Sequence, residues 1–126
     1  VRHAGYFVAL ALSGAASAQP VSVAPWMTGA HLLEIYTMPP GVADESGLSV
    51  HQYVDWRSAQ LYLHGVHDAT EGREWCYDRM YKPKPDLIEE AALSALRALS
   101  SDQLKRNAAE LLVEAWRKKW PCGGKP

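Results

Sequence analysis

The chain predicts an all-α fold: a small single-domain bundle of four to five helices with one disulfide. Three observations lead there. Apolar residues recur three and four apart over long stretches, as one face of an α-helix requires. No segment sustains the period-two alternation of a half-buried strand. Helix-starting and helix-stopping residues punctuate the apolar stretches at domain-like intervals. The chain holds 126 residues, enough for one modest core. It shows no internal repeat and no low-complexity tract.

Residues 1–18 read as a signal peptide. Arg2 and His3 give a weakly basic start, Ala4 to Leu12 is an apolar run, and Ala16-Ser17-Ala18 supplies the small residues of a cleavage site. The run is too short to span a bilayer, and membrane insertion is not expected. Residues 19–27, with Pro20 and Pro25, read as an extended leader. Export places the chain in an oxidising compartment, where an even cysteine count argues for pairing of Cys76 with Cys122. Net charge is −1, a poor match to a nucleic-acid binder, which carries a basic stripe.

The helical domain is expected over 28–122, with 123–126 as a flexible tail. Thr28 can cap a first helix whose apolar side is Leu32, Leu33, Ile35 and Tyr36, and Pro39-Pro40-Gly41 stops it. Ser49 and Gln52 form a capping box for a second helix. Its apolar positions, Val50, Tyr53, Val54, Leu61, Val66 and Ala69, widened by Trp56, Tyr62 and Leu63, predict burial on more than one side. Gly65 interrupts this helix at a cost of about 1 kcal/mol relative to Ala. The expected compensation is close approach of a neighbouring helix.

Residues 70–86, with Gly72, Pro83 and Pro85, read as a connection. Asp86 is the expected cap of a third helix, with Glu89 at its N3 position and Leu87, Ile88, Ala91, Ala92, Ala95, Leu96 and Leu99 on its apolar face. Ser100 and Gln103 offer another capping box, so a fourth helix is expected from there, carrying Leu104, Ala108, Leu111, Leu112, Ala115 and Trp116. Arg117, Lys118 and Lys119 suit its negative end, and Pro121 terminates it.

Several stretches are similar to the Rap/Tai-type immunity proteins, small periplasmic helical proteins associated with type VI secretion. Tyr62, Gly65, Val66, Asp68 and Ala69 match a Tyr-x-x-Gly-Val-x-Asp-Ala motif. Cys76 follows at a similar interval, and residues 107–122, ending Trp120-Pro121-Cys122, resemble the closing segment of the family. Leu32-Leu33-Glu34-Ile35-Tyr36 resembles its Leu-Leu-x-x-Cys. Many members carry two further cysteines, at positions that here hold Tyr36 and Ala59. The resemblance implies a periplasmic, non-catalytic homodimer without cofactor. Its partner would be a secreted peptidoglycan amidase effector, neutralised by covering the active cleft. The motif residues Tyr62, Gly65 and Asp68 are expected to be structural, with Asp68 hydrogen-bonding the following loop, and contact with a partner is the alternative role for Gly65 and Asp68. The alternative is an orphan periplasmic protein on the same scaffold with an envelope-stress or holding role, because a shared fold does not fix a function.

Other chemistry finds little support. His64, His67 and Asp68 lie three and four apart and could present metal ligands on one face. A structural site needs a fourth ligand, however, and the obvious one, Cys76, is better explained as half of a disulfide. A cysteine nucleophile would need a free thiolate. There is no Gly-x-Ser-x-Gly, no His-Glu-x-x-His and no Gly-rich phosphate loop. Two loops suit protein recognition better. One runs from Pro39 to Gly47 with Asp44 and Glu45 at its tip; the other, from Trp75 to Pro85, carries Arg79, Tyr81, Lys82 and Lys84. Trp75 and Tyr77 flank Cys76 and are expected to pack over the bridge. Trp116 and Trp120, four apart, are expected in the core or at a dimer seam.

Overall fold

A computed structural model describes residues 23–77 and 82–123. The segment read as a signal peptide lies outside them, as do residues 19–22 of the leader and 124–126 of the tail. The described residues form four α-helices and two short 3-10 turns, with no strand: α1 Gly29–Tyr36, α2 Val50–Thr70, α3 Pro85–Arg97 and α4 Ala108–Lys119. The 3-10 turns are Glu45–Gly47 and Gln103–Lys105.

The helix ends follow local chemistry at most positions. The Thr28 hydroxyl accepts the His31 amide at 3.1 Å and opens α1. Ser49 and Gln52 exchange side chain-to-backbone bonds at 2.9 and 3.3 Å and open α2. The start of α3 differs from the expectation. Lys84, in extended conformation, holds the cap position and Pro85 the first helical position, where its missing N–H costs nothing. Asp86 sits inside the first turn, favouring the dipole rather than capping.

The fourth helix also starts later than expected. The Ser100–Gln103 capping box forms, with bonds of 2.9 and 3.3 Å, but it opens only the Gln103–Lys105 turn. Arg106 is extended, and Asn107 caps α4 by accepting the Ala109 amide at 2.9 Å. The break has a tertiary cause. Residues 27–29 cross here, with Gly29 N–H donating to the Arg106 carbonyl at 3.1 Å and Ala108 N–H to the Met27 carbonyl at 2.9 Å. Those bonds need an extended backbone at 106–107, which no continuous helix provides.

This crossing is where a glycine is required. A Cβ on Gly29 would stand 2.6 Å from Leu111 Cδ1 and 3.3 Å from the Leu104 carbonyl oxygen. The expected close approach at Gly65 is absent among the described residues: a Cβ there would meet none of them within 4 Å, and the residue is exposed. The second helix is accordingly buried on one side only. Ala59 and Leu63 are buried and Trp56, Tyr62 and Val66 half-buried, whereas Val50, Tyr53, Val54 and Ala69 are exposed, as is Leu61. Helices α1 and α4 pack along the inner side of α2, and no element of the described chain covers its outer side.

The core joins Leu32 of α1, Ala59 and Leu63 of α2, Ile88, Ala92, Leu93 and Leu96 of α3, and Ala108, Leu111, Leu112 and Trp116 of α4. Trp75, from the connection after α2, is fully buried among them. Its ring centroid lies 4.9 Å from that of Trp116, 5.8 Å from Tyr77 and 6.0 Å from Trp120. Both buried indoles are satisfied: Trp75 donates to Thr70 Oγ1 at 2.9 Å and Trp116 to the Ile88 carbonyl at 2.8 Å. Cys76 and Cys122 form the expected disulfide beside this aromatic cluster, joining the chain after α2 to the chain after α4. The Cys76 amide also donates to the Trp120 carbonyl at 2.8 Å, and Arg117 bonds the Glu74 side chain and carbonyl.

Candidate functional site

The two candidate recognition loops sit at opposite ends of α2. That helix has 21 residues, so the loops are separated by about 30 Å of helix. One protomer therefore does not bring Asp44 and Glu45 together with Lys82 and Lys84.

At the N-terminal end, Asp44 organises its own loop. Its Oδ1 accepts from the Ser46 amide at 2.9 Å and from the Ser46 hydroxyl at 2.5 Å. Those bonds hold its carboxyl below the usual carboxylate range. Asp44 and Glu45 are both exposed. At the other end, the Lys82 ammonium lies 5.4 Å from the centre of the Tyr77 ring. Hydrogen bonding to Tyr77, with the charges of Glu71 and Asp68 nearby, raises its titration above the ordinary lysine range. Lys84 is exposed, and its carbonyl accepts the Leu87 and Ile88 amides. Arg79 and Tyr81 lie outside the described residues.

Between α2 and α3 opens a cleft of about 270 Å³. Leu63, Ile88 and Trp116 form its apolar floor, and His64, His67, Asp68, Lys82 and Glu89 stand around its rim. The two histidines are held by different acids. His67 Nδ1 lies 2.9 Å from Asp68 Oδ1, with its ring edge-on to Trp75 and Trp116. His64 Nε2 lies 2.5 Å from Glu89 Oε1. The other oxygen of Glu89 accepts the Tyr36 hydroxyl at 2.9 Å. Burial, and then the bond to Glu89, pushes the Tyr36 phenol well above its ordinary range. A single carboxylate, 14% exposed, thus ties α1, α2 and α3 together.

The cleft lining contains no hydroxyl or thiol nucleophile, and Cys76 is in a disulfide. Among the described residues, no three His, Cys, Asp or Glu side chains gather where they could share a metal ion. Among the described residues, Asp68 pairs with His67. A Cβ on Gly65 would meet no described residue within 4 Å, and Tyr62 is half-buried against the core.

Sequence reasoning missed the Tyr36–Glu89–His64 cluster, whose partners lie 53 and 25 positions apart. Glu89 reads locally as a residue of the first helical turn, and nothing in its neighbourhood announces Tyr36.

No curated protein matches the chain. A family model, described as Rap1a immunity proteins, matches residues 28–122. That span begins at the residue capping α1 and ends at the second cysteine of the disulfide, so it takes in all four helices and the cross-link. The match extends over most of the sequence and coincides with the folded domain: the chain belongs to the Rap1a immunity proteins.

Proposed function

We propose that this protein is a periplasmic immunity protein that binds a secreted peptidoglycan amidase effector and neutralises it by covering its active cleft, acting as a homodimer without cofactor. The family match over the whole helical domain carries the reading. Three further features support it. The N-terminal segment has the composition of an export signal. The disulfide suits an oxidising compartment. The Asp44 loop is held in shape by its own hydrogen bonds. Occlusion by a preformed loop keeps the ordering cost of binding low.

The test is protection. The exported protein is co-produced with a periplasmically targeted amidase effector, and cell lysis is followed. Survival, with recovery of a protein–amidase complex on purification, is the expected result. Continued lysis and no complex with any cell-wall amidase would return the protein to a general envelope role. Replacing Asp44 and Glu45 by Lys, and separately Lys82 and Lys84 by Glu, identifies which loop makes contact.

A further inference from the structure

A groove of about 280 Å³ opens where the end of α1, the two ends of the Pro39–Gly47 loop and the first two turns of α2 meet. It shares no lining residue with the cleft between α2 and α3. Ile35, Met38, Leu48 and the half-buried Trp56 give it an apolar wall, and Glu34 and Asp55 line it with carboxylates. An apolar wall, an indole and two acids together suit a long cationic side chain, whose stem lies on the wall while its charge meets the acids.

The charge pattern says where that cation comes from. Residues 23–56 carry Glu34, Asp44, Glu45 and Asp55 and no Lys or Arg. Among the described residues, the ion-pair partners of Glu34 and Asp55 are histidines, His31 at 3.4 Å and His51 at 3.5 Å. Other surface carboxylates of the same chain are matched differently: Glu74, Glu90, Asp102 and Glu114 each pair with an Arg or a Lys. A fixed cation complementary to this groove therefore has to be supplied by another molecule.

We propose that this groove receives an arginine side chain of a protein partner. The proposal rests on the reading above only in taking the partner to be a protein. A guanidinium suits the site better than an ammonium. It is flat and weakly hydrated, stacks on an indole, and offers several N–H donors to carboxylates at once. An arginine seated in a groove with an aromatic wall is also the kind of contact that carries a large share of an interface's affinity. The Asp44 loop, fixed by its bonds to Ser46, borders the same groove through its two ends, so the site needs little ordering before binding.

The test titrates isotopically labelled protein with N-acetylarginine methylamide at constant ionic strength. The Trp56 indole N–H, assigned with Trp56→Phe, is followed by NMR. A saturable shift with a Kd on the order of 1 mM is expected. N-acetylcitrulline methylamide, the same shape without the charge, should bind about tenfold more weakly. So should the arginine probe to the Glu34→Gln, Asp55→Asn double variant, whose helical circular dichroism should match the native protein. No saturable shift up to about 50 mM overturns the proposal. So do equal affinities for the two probes, or native affinity in the double variant. A lysine probe that binds as well as the arginine probe overturns the choice of guanidinium. Trp56 shifts that follow protein concentration without any probe assign the groove to a second copy and overturn the choice of partner. Where a complex with an amidase forms, the double variant should weaken it about tenfold, and unchanged affinity overturns the link to that partner. The probe titration contains no effector, so its outcome is separate from that of the immunity reading. A groove that binds arginine in a protein that protects against no amidase fails only the latter.

Discussion

Two neighbouring ties in this bundle hold its helices by different physics. In one, the connection after α2 is tied to the chain after α4 by the Cys76–Cys122 bond, laid against the rings of Trp75, Trp116 and Trp120. The other is non-covalent: Tyr36 of α1 and His64 of α2 bond the two oxygens of Glu89 of α3, beside the apolar packing of Leu32. The covalent tie acts largely through the unfolded chain, whose freedom it removes. The polar tie acts only in the native state, and only while three side chains from three helices stay in place. The first is indifferent to pH over the range in which proteins fold, and the second is proton-linked. A carboxylate shared by three helices thus makes a pH-dependent joint, which the disulfide is not.

Breaking each tie separately tests this contrast. Replacing both cysteines by Ala should have the largest effect, about 4 kcal/mol, because the bond spans a sequence separation of 46. Chemical denaturation with and without reductant measures it, and equal midpoints would show that the bond contributes nothing. Next comes Gly29→Val at the chain crossing, where the added side chain meets Leu111 and the Leu104 carbonyl oxygen. A loss of about 1–3 kcal/mol is expected, measured as a lowered urea midpoint.

Tyr36→Phe should cost about 1.5 kcal/mol, the lower end for a hydrogen bond to a charged acceptor. Its signature is in the pH dependence. The phenol titrates higher in the folded protein than its ordinary value near 10, so its contribution is complete below pH 10 and is lost as the pH rises further. Native protein should therefore lose stability above that pH more steeply than the Phe variant. Identical alkaline limbs would mean that the Tyr36–Glu89 bond has no energetic role. Tyr62, also shifted upward by burial, contributes a residual slope to both.

The smallest effect has the opposite sign. Gly65→Ala should stabilise the protomer by about 0.5–1 kcal/mol, since an exposed mid-helix glycine with nothing near its Cβ position costs entropy without a packing return. The urea midpoint measures it. A loss of stability would reveal a neighbour for Gly65 within the chain.

The sequence by itself determined what short-range chemistry controls. Four helices, the Thr28 cap, the Ser49–Gln52 box and the stop after α1 were legible because each depends on residues within a few positions of one another. The Cys76–Cys122 pair was legible because there was no other partner to choose. The tertiary structure alone decided what depends on residues far apart in the chain. The Ser100–Gln103 box formed yet opened only one turn, because residues 27–29 claim backbone bonds at 106–108. Glycine proved necessary at Gly29 rather than Gly65, because only the former is crossed by another segment. Apolar residues on α2 identified a helix but not its inner side: Val50, Val54 and Leu61 obey the same spacing as a buried face, and only the placement of α1 and α4 shows that they point away from the core. Periodicity records which residues share a face, whereas burial depends on what packs against that face, and that choice is made by contacts no local spacing encodes.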